Sequence, residues 1–320
     1  MKRITALFIS VLLLILLCGC GSSTKDNGGK LKIICTIFPQ YDFIRNIAGD
    51  HVDLKMLVPF GMESHDFSLE NMTVADVANV GASDLVIYTG GESDSDWINT
   101  LRCSVKGSTE WLALTDIVEP LPELLSQSMN ISHVHSDGHH EHEENETDEH
   151  VWTSPKRAVE IVEALKDKLS ALDPYNAGIY SDNAADYIEK LKLLDQKMAK
   201  TVELSEKKTL IFADRFPFRY LCADYGLSYD AAFPGCSSST DPSVAQIESL
   251  TAAASRVGAK AVFYMENSNG IYAKQIAGKV GAKALMLHSC HQVTRDEFKN
   301  GASYIGLMDQ NIEKIREALS

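Results

Sequence analysis

Short apolar runs rich in β-branched residues alternate with helical stretches along this chain, and the alternation occurs twice. "LKIICTIF" (31–38) opens the first series, with "VDLKMLVP", "SDLVIYTG" and "WLALTDIV" following it. Runs that are apolar throughout, without a polar alternate, belong to strands covered on both faces. Between them lie "QYDFIRNIAG", "LENMTVADVANVG" and "DSDWINTLRC", each patterned as a helix. A second series begins at "KTLIFA" and continues through "LSYDAAF", "AKAVFYME" and "AKALMLH". Strand–helix–strand repetition calls for right-handed crossovers and parallel sheets. The expected fold is therefore α/β, in two lobes that each carry a small parallel sheet flanked by helices.

A long amphipathic stretch at 183–204 carries Tyr187, Leu191, Leu194, Met198 and Val202 on one face. It is expected to link an N-terminal lobe over 31–182 to a C-terminal lobe over 205–320. At 320 residues the chain has the length for two such units.

The first series is interrupted by "HVHSDGHHEHEENETDEH" (133–150), which holds six of the chain's ten histidines. A stretch this polar cannot pack into a core, so 133–149 is expected to be a surface loop. The net charge of −14 argues against a nucleic-acid binder, which would normally show a basic face, and agrees with cation attraction.

Lys2 and Arg3 precede the apolar run "ALFISVLLLILL", the layout of a secretory signal over 1–19. Leu17-Cys18-Gly19-Cys20 resembles the bacterial lipobox, which implies lipidation of Cys20 and a flexible tether over 20–30. The folded part is then expected outside the cytoplasm, lipid-anchored to the cell membrane. Five cysteines lie beyond the lipobox without a C-x-x-C pair, which argues against a thiolate metal site. Cys236 and Cys290 are the candidate disulfide pair.

Ligands of open α/β sheets bind beyond the carboxyl ends of the strands. Metal-type side chains recur at those positions. His65 follows the second strand, His150 closes the histidine-rich loop, Asp214 follows "TLIFA", Glu266 ends "AVFYME", and His288 ends "ALMLH" with His291 close behind. Imidazoles with one carboxylate suit zinc, or manganese where oxygen ligands dominate.

These segments resemble the metal-binding lipoproteins of bacterial zinc and manganese ABC importers, the cluster A-I or cluster 9 solute-binding proteins. The resemblance runs from residue 30 to 320. "GMESHDFS" matches the family's first histidine motif at His65, with Ser64 in place of a proline. "DEHVWTSP" matches the second at His150, "DPS" (241–243) matches its "EPS", and "FYME" matches the strand-end glutamate at Glu266. Zinc-type members carry a histidine- and acid-rich loop before the second histidine, as here. Two positions depart from the pattern. Arg215 stands where the third family histidine falls, and His288 stands where many relatives have aspartate.

The resemblance implies a monomeric protein, without enzymatic activity, that binds zinc and passes it to a membrane permease. The expected ligands are His65, His150, Glu266 and His288, with Asp214 and His291 in reserve. His133, His135, His139, His140 and His142 are expected to form an auxiliary metal loop. A manganese-specific version is the alternative within the family. A secreted zinc hydrolase would need an open coordination position and a base, but the chain has neither H-E-x-x-H nor a nucleophile elbow. An extracellular interaction module with a structural ion is the third reading.

Overall fold

The computed structural model describes residues 29–105, 107–133, 147–235 and 241–320. It contains two four-stranded parallel sheets. The first comprises β1 (Leu31–Cys35), β2 (Val52–Met56), β3 (Leu85–Tyr88) and β4 (Glu110–Ala113), in the order β2-β1-β3-β4. The second comprises β5 (Thr209–Phe216), β6 (Ser228–Pro234), β7 (Ala261–Met265) and β8 (Lys283–Leu287), in the order β6-β5-β7-β8. The two orders are the same, so both sheets reverse direction beside their first strand and open a crevice beyond their carboxyl ends.

β1 is shorter than its apolar run. The backbone N–H groups of Thr36 and Ile37 donate to Gln40 Oε1 at 2.8 and 3.2 Å; the Thr36 N–H is shared with Ile87 O of β3 at 3.0 Å, so pairing reaches Thr36 and the chain leaves the sheet at Ile37. Pro39 then starts the helix Phe38–Ala48. A buried glutamine thus turns the chain out of the sheet at the point where hydrophobicity alone would continue it.

The helix expected over 183–204 runs from Ala177 to Glu203, 27 residues. Its stripe of Tyr187, Leu191, Leu194, Met198 and Val202 is buried as the spacing requires. It packs on helices from both halves of the chain, Phe38–Ala48 and Tyr304–Leu319, and on its neighbour Pro155–Leu172. Buried Asp42 joins three of these: its Oδ2 accepts from Tyr187 Oη at 3.2 Å and from the Tyr304 backbone N–H at 2.9 Å. Arg45 pairs with the other oxygen at 2.5 Å.

One hydrophobic cluster extends through both sheets, and a second fills the space between β5–β7 and the helices Val244–Val257 and Ile271–Val280. Loops of the two halves also meet directly. The Phe38 N–H donates to His291 O at 3.3 Å and the Gly61 N–H donates to Val293 O at 3.2 Å. Trp152 Nε1 donates to Ser289 O at 2.9 Å, and Tyr304 Oη donates to Trp152 O at 2.6 Å.

Among the described residues, no helix is long and apolar enough to cross a membrane. The expected signal over 1–19 and Cys20 lie outside the described residues, as does Cys236. Cys290 is buried and free, which corrects the expected disulfide.

Candidate metal centre

Three histidines converge beyond the strand ends. His65 sits on a turn after β2, His150 follows the interrupted segment after β4, and His291 lies four residues beyond β8. One ligand atom from each lies within 4.8 Å of the other two. Their ring centroids are 5.7, 5.0 and 5.5 Å apart, so the rings surround a common point. The cavity between them, of about 10 Å³, is also lined by Glu63, Arg215, Gly235, Met265 and Ser289. That volume holds a single water-sized particle. A larger cavity of about 760 Å³ lies elsewhere, at the carboxyl end of the long helix, where Lys197, Lys200, Lys207 and Arg316 make it unsuited to a cation.

Each ring is held. The Asp148 carboxylate accepts the His150 backbone N–H at 2.8 Å and lies 3.2 Å from His150 Nδ1. A proton on Nδ1 leaves Nε2 with a lone pair for a ligand. Trp152 packs at 5.5 Å from the His150 ring and 5.1 Å from the His291 ring. Gly235 passes so close that a Cβ there would lie 2.8 Å from His150 Cε1. Glu149 Oε1 lies 3.6 Å from His65 Nδ1. Ser93 holds that carboxylate through its hydroxyl and its backbone N–H. Gly91 is required there, because a Cβ would fall 1.7 Å from Glu149 Oε2. Ser64 Oγ hydrogen-bonds His291 Nε2 at 2.5 Å. The serine that replaces the family proline therefore orients the third histidine.

Burial, the neighbouring His150 and the Arg215 guanidinium lower the His65 pKa to about 3. Burial, His65, His150 and Arg215 likewise push His291 well below the ordinary histidine value. Burial also disfavours a charged His150, but the Asp148 carboxylate, with Glu149 and Glu123, outweighs it and holds that pKa above the usual value. Two rings are thus neutral donors at neutral pH, and the third is made basic by its carboxylate. Such a set coordinates a borderline-soft divalent ion without first shedding several protons.

The structure brings His65 and His150 together with His291 from the reserve pair, and leaves the other expected ligands apart. His288 points into a separate network, where its Nδ1 accepts the Cys290 N–H at 2.9 Å and lies 3.5 Å from Glu266 Oε1. Cys290 adopts a left-handed backbone, φ 62°, so the chain turns sharply between the two histidines. Glu266 accepts from Ser289 at both oxygens, from Oγ at 2.6 Å and from the N–H at 3.0 Å. Asp214 sits at an irregularity in β5 between Phe212 and Arg215. There its carboxylate accepts the backbone N–H groups of Arg215 and Met265, at 2.9 and 3.3 Å. Arg215 pairs with Glu63 at 3.3 Å, the carboxylate partner that a cation beside this cleft requires. Glu63 was not singled out from the sequence; its place two residues before His65 was the available signal. The auxiliary histidines lie outside the described residues, apart from the backbone of His133, which ends the turn Asn130–His133.

The model of the family described as the periplasmic component A of the zinc-uptake complex, ZnuA, matches residues 33–318. The chain is 30% identical over 318 residues to the zinc-binding lipoprotein AdcA of Streptococcus pneumoniae, covering 99% of this chain and 61% of that protein. It therefore spans about three-fifths of the length of that relative. It is also 30% identical over 324 residues to the high-affinity zinc uptake system protein ZnuA of Bacillus subtilis, covering 99% of this chain and 98% of that one. Among solved structures, the Zn(II)-bound ZnuA-like domain of Streptococcus pneumoniae AdcA superposes with a TM-score of 0.72 at 28% identity, over 91% of this chain and 99% of that one. The metal-dependent lipoprotein YcdH of Bacillus subtilis does so with a TM-score of 0.74 at 27% identity, again over 91% and 99%.

Proposed function

The chain belongs to the family of the zinc-uptake complex component A, and from that premise we propose that it captures zinc outside the cytoplasmic membrane. It then delivers the ion to the permease of an ABC importer. The observation that carries this reading is the convergence of His65, His150 and His291 on a cavity the size of one particle. Three imidazoles favour zinc over manganese, which lies at the weak end of the divalent series.

Under this reading residues 31–182 and 205–320 act as two lobes, and the ion is enclosed by His65 and His150 from one and His291 from the other. The long helix and the shared core oppose wide hinge opening, so release follows small movements of the loops that carry the ligands. The protein is a monomer anchored through a lipid on Cys20. No bond of the cargo is made or broken, and the histidine-rich segment over 133–149 supplies weaker, exchangeable zinc sites.

Competition titration with zinc and manganese tests the assignment. The unaltered protein is expected to hold one zinc far more tightly than the rest, and far more tightly than manganese. H65A and H150A are each expected to abolish that tight class while leaving the weaker sites. Retention of the tight class in both variants would refute the site.

A further inference from the structure

Three neutral imidazoles leave a bound dication with its full charge, and Arg215 adds a permanent cation to the same cavity wall. A carboxylate ligand would offset that charge. The carboxylates on the surrounding loops include Asp148, Glu149, Asp214, Glu266 and Glu63, besides Glu123, which accepts the Gly235 N–H at 3.2 Å, and the first four have other duties. Asp148 holds His150, Glu149 is held by Ser93 beside His65, Asp214 satisfies two backbone donors, and Glu266 is held by Ser289.

Glu63 differs in position and in partners. Among the described residues it is the carboxylate that lines the cavity, and its Oε2 lies 4.0 Å from His291 Nδ1. Its side chain is 16% exposed. It extends from a loop of the first half, and its partners are long side chains of the second half. Arg215 Nη2 lies 3.3 Å from its Oε1, Gln292 Nε2 donates to it at 3.3 Å, and Asn267 Nδ2 also donates to it. All of these can yield through side-chain rotation.

We propose that Glu63 is the fourth ligand of the zinc site, and that the ion and Arg215 compete for its carboxylate. The proposal rests on the zinc site argued above. It gives the arginine at the family's histidine position a function. Arg215 weakens the hold on the ion, and it receives the carboxylate as the ion departs, so that Glu63 is not left as a buried lone charge. Affinity and ease of release are then set by one ion pair across the cleft.

The test uses the full chain, Zn2+ as the probe, and a chromophoric chelator of high affinity as competitor, with thermal unfolding as a check on folding. E63Q is expected to weaken the tight site by about tenfold or more, as loss of a charged ligand should. R215Q is expected to tighten it several-fold, because both the repulsion and the competing partner are removed. Zinc-edge X-ray absorption should show one light-atom ligand fewer, or more distant, in E63Q with the imidazole scattering retained. An E63Q protein that binds zinc as the parent does, or an R215Q protein that binds no more tightly, overturns the proposal. Failure of the zinc-site reading is a separate result, namely H65A and H150A variants that keep the tight class.

Discussion

His150 has the most completely built surroundings of the three histidines, and its behaviour is therefore the easiest to forecast. Asp148 fixes its backbone and faces its Nδ1, Trp152 lies against the ring, and Gly235 leaves it room. Replacing Asp148 with asparagine keeps an acceptor for the backbone N–H but removes the charge that makes the ring basic. D148N is expected to lower zinc affinity by about 10- to 100-fold, the usual cost of losing a carboxylate behind a ligating histidine. An affinity equal to that of the parent in a competition titration would show that the pair does not tune the ligand. At this scale the sequence was only partly legible. His65 and His150 stood in recognisable motifs, whereas the choice between His288 and His291 depended on the left-handed Cys290 between them. No periodicity reveals a non-glycine residue with that backbone, and the hydroxyl that orients His291 comes from Ser64, 227 positions earlier. Glu63 escaped for a similar reason, since its partners Arg215, Asn267 and Gln292 are distant in the chain.

Strands and helices were more legible, because burial on both faces leaves a continuous apolar signature and helix packing leaves a stripe. The departures have local causes. Gln40 takes the Ile37 N–H and shares that of Thr36 where β1 ends, and the carboxylate of Asp214 accepts backbone N–H groups at the irregularity in β5. Both are polar side chains satisfying backbone groups, an effect that hydrophobic patterning does not register. The long helix carries the main structural prediction. Leu191 is fully buried on the stripe that packs against both halves. L191A is expected to destabilise the protein by about 2–5 kcal/mol in denaturant unfolding, through lost transfer energy and the cavity left behind. A change within about 0.5 kcal/mol, the usual range of surface substitutions, would mean that this stripe does not hold the two halves together.

At the scale of the whole molecule, two sheets of the same strand order face a shared crevice, and the titration of that crevice links function to stability. Protonated His65 and His291 are disfavoured in the folded protein, so between the ordinary histidine pKa near 6.5 and the folded value of about 3 for His65 the unfolded chain binds more protons. Their contribution to stability is intact above about pH 6.5 and is lost as pH falls toward the folded values. His150 works in the opposite sense, but it is one ring against two. Thermal unfolding of the chelator-treated protein should therefore show a lower midpoint at pH 5 than at pH 7.5, and variants with His65 and His291 both changed to glutamine should lose most of that difference. An unchanged pH dependence in the double variant would remove these rings from the linkage.

On the proposed reading, side chains from the two halves, His65 and His150 from one and His291 from the other, grip a single zinc ion as cargo. Anomalous diffraction at the zinc edge, from crystals of the protein loaded with one equivalent of zinc, locates that ion. One dominant peak is expected at about 2.0–2.1 Å from a nitrogen of each of the three histidines. A dominant peak at His288 and Glu266, or one confined to the histidine-rich segment, would contradict it.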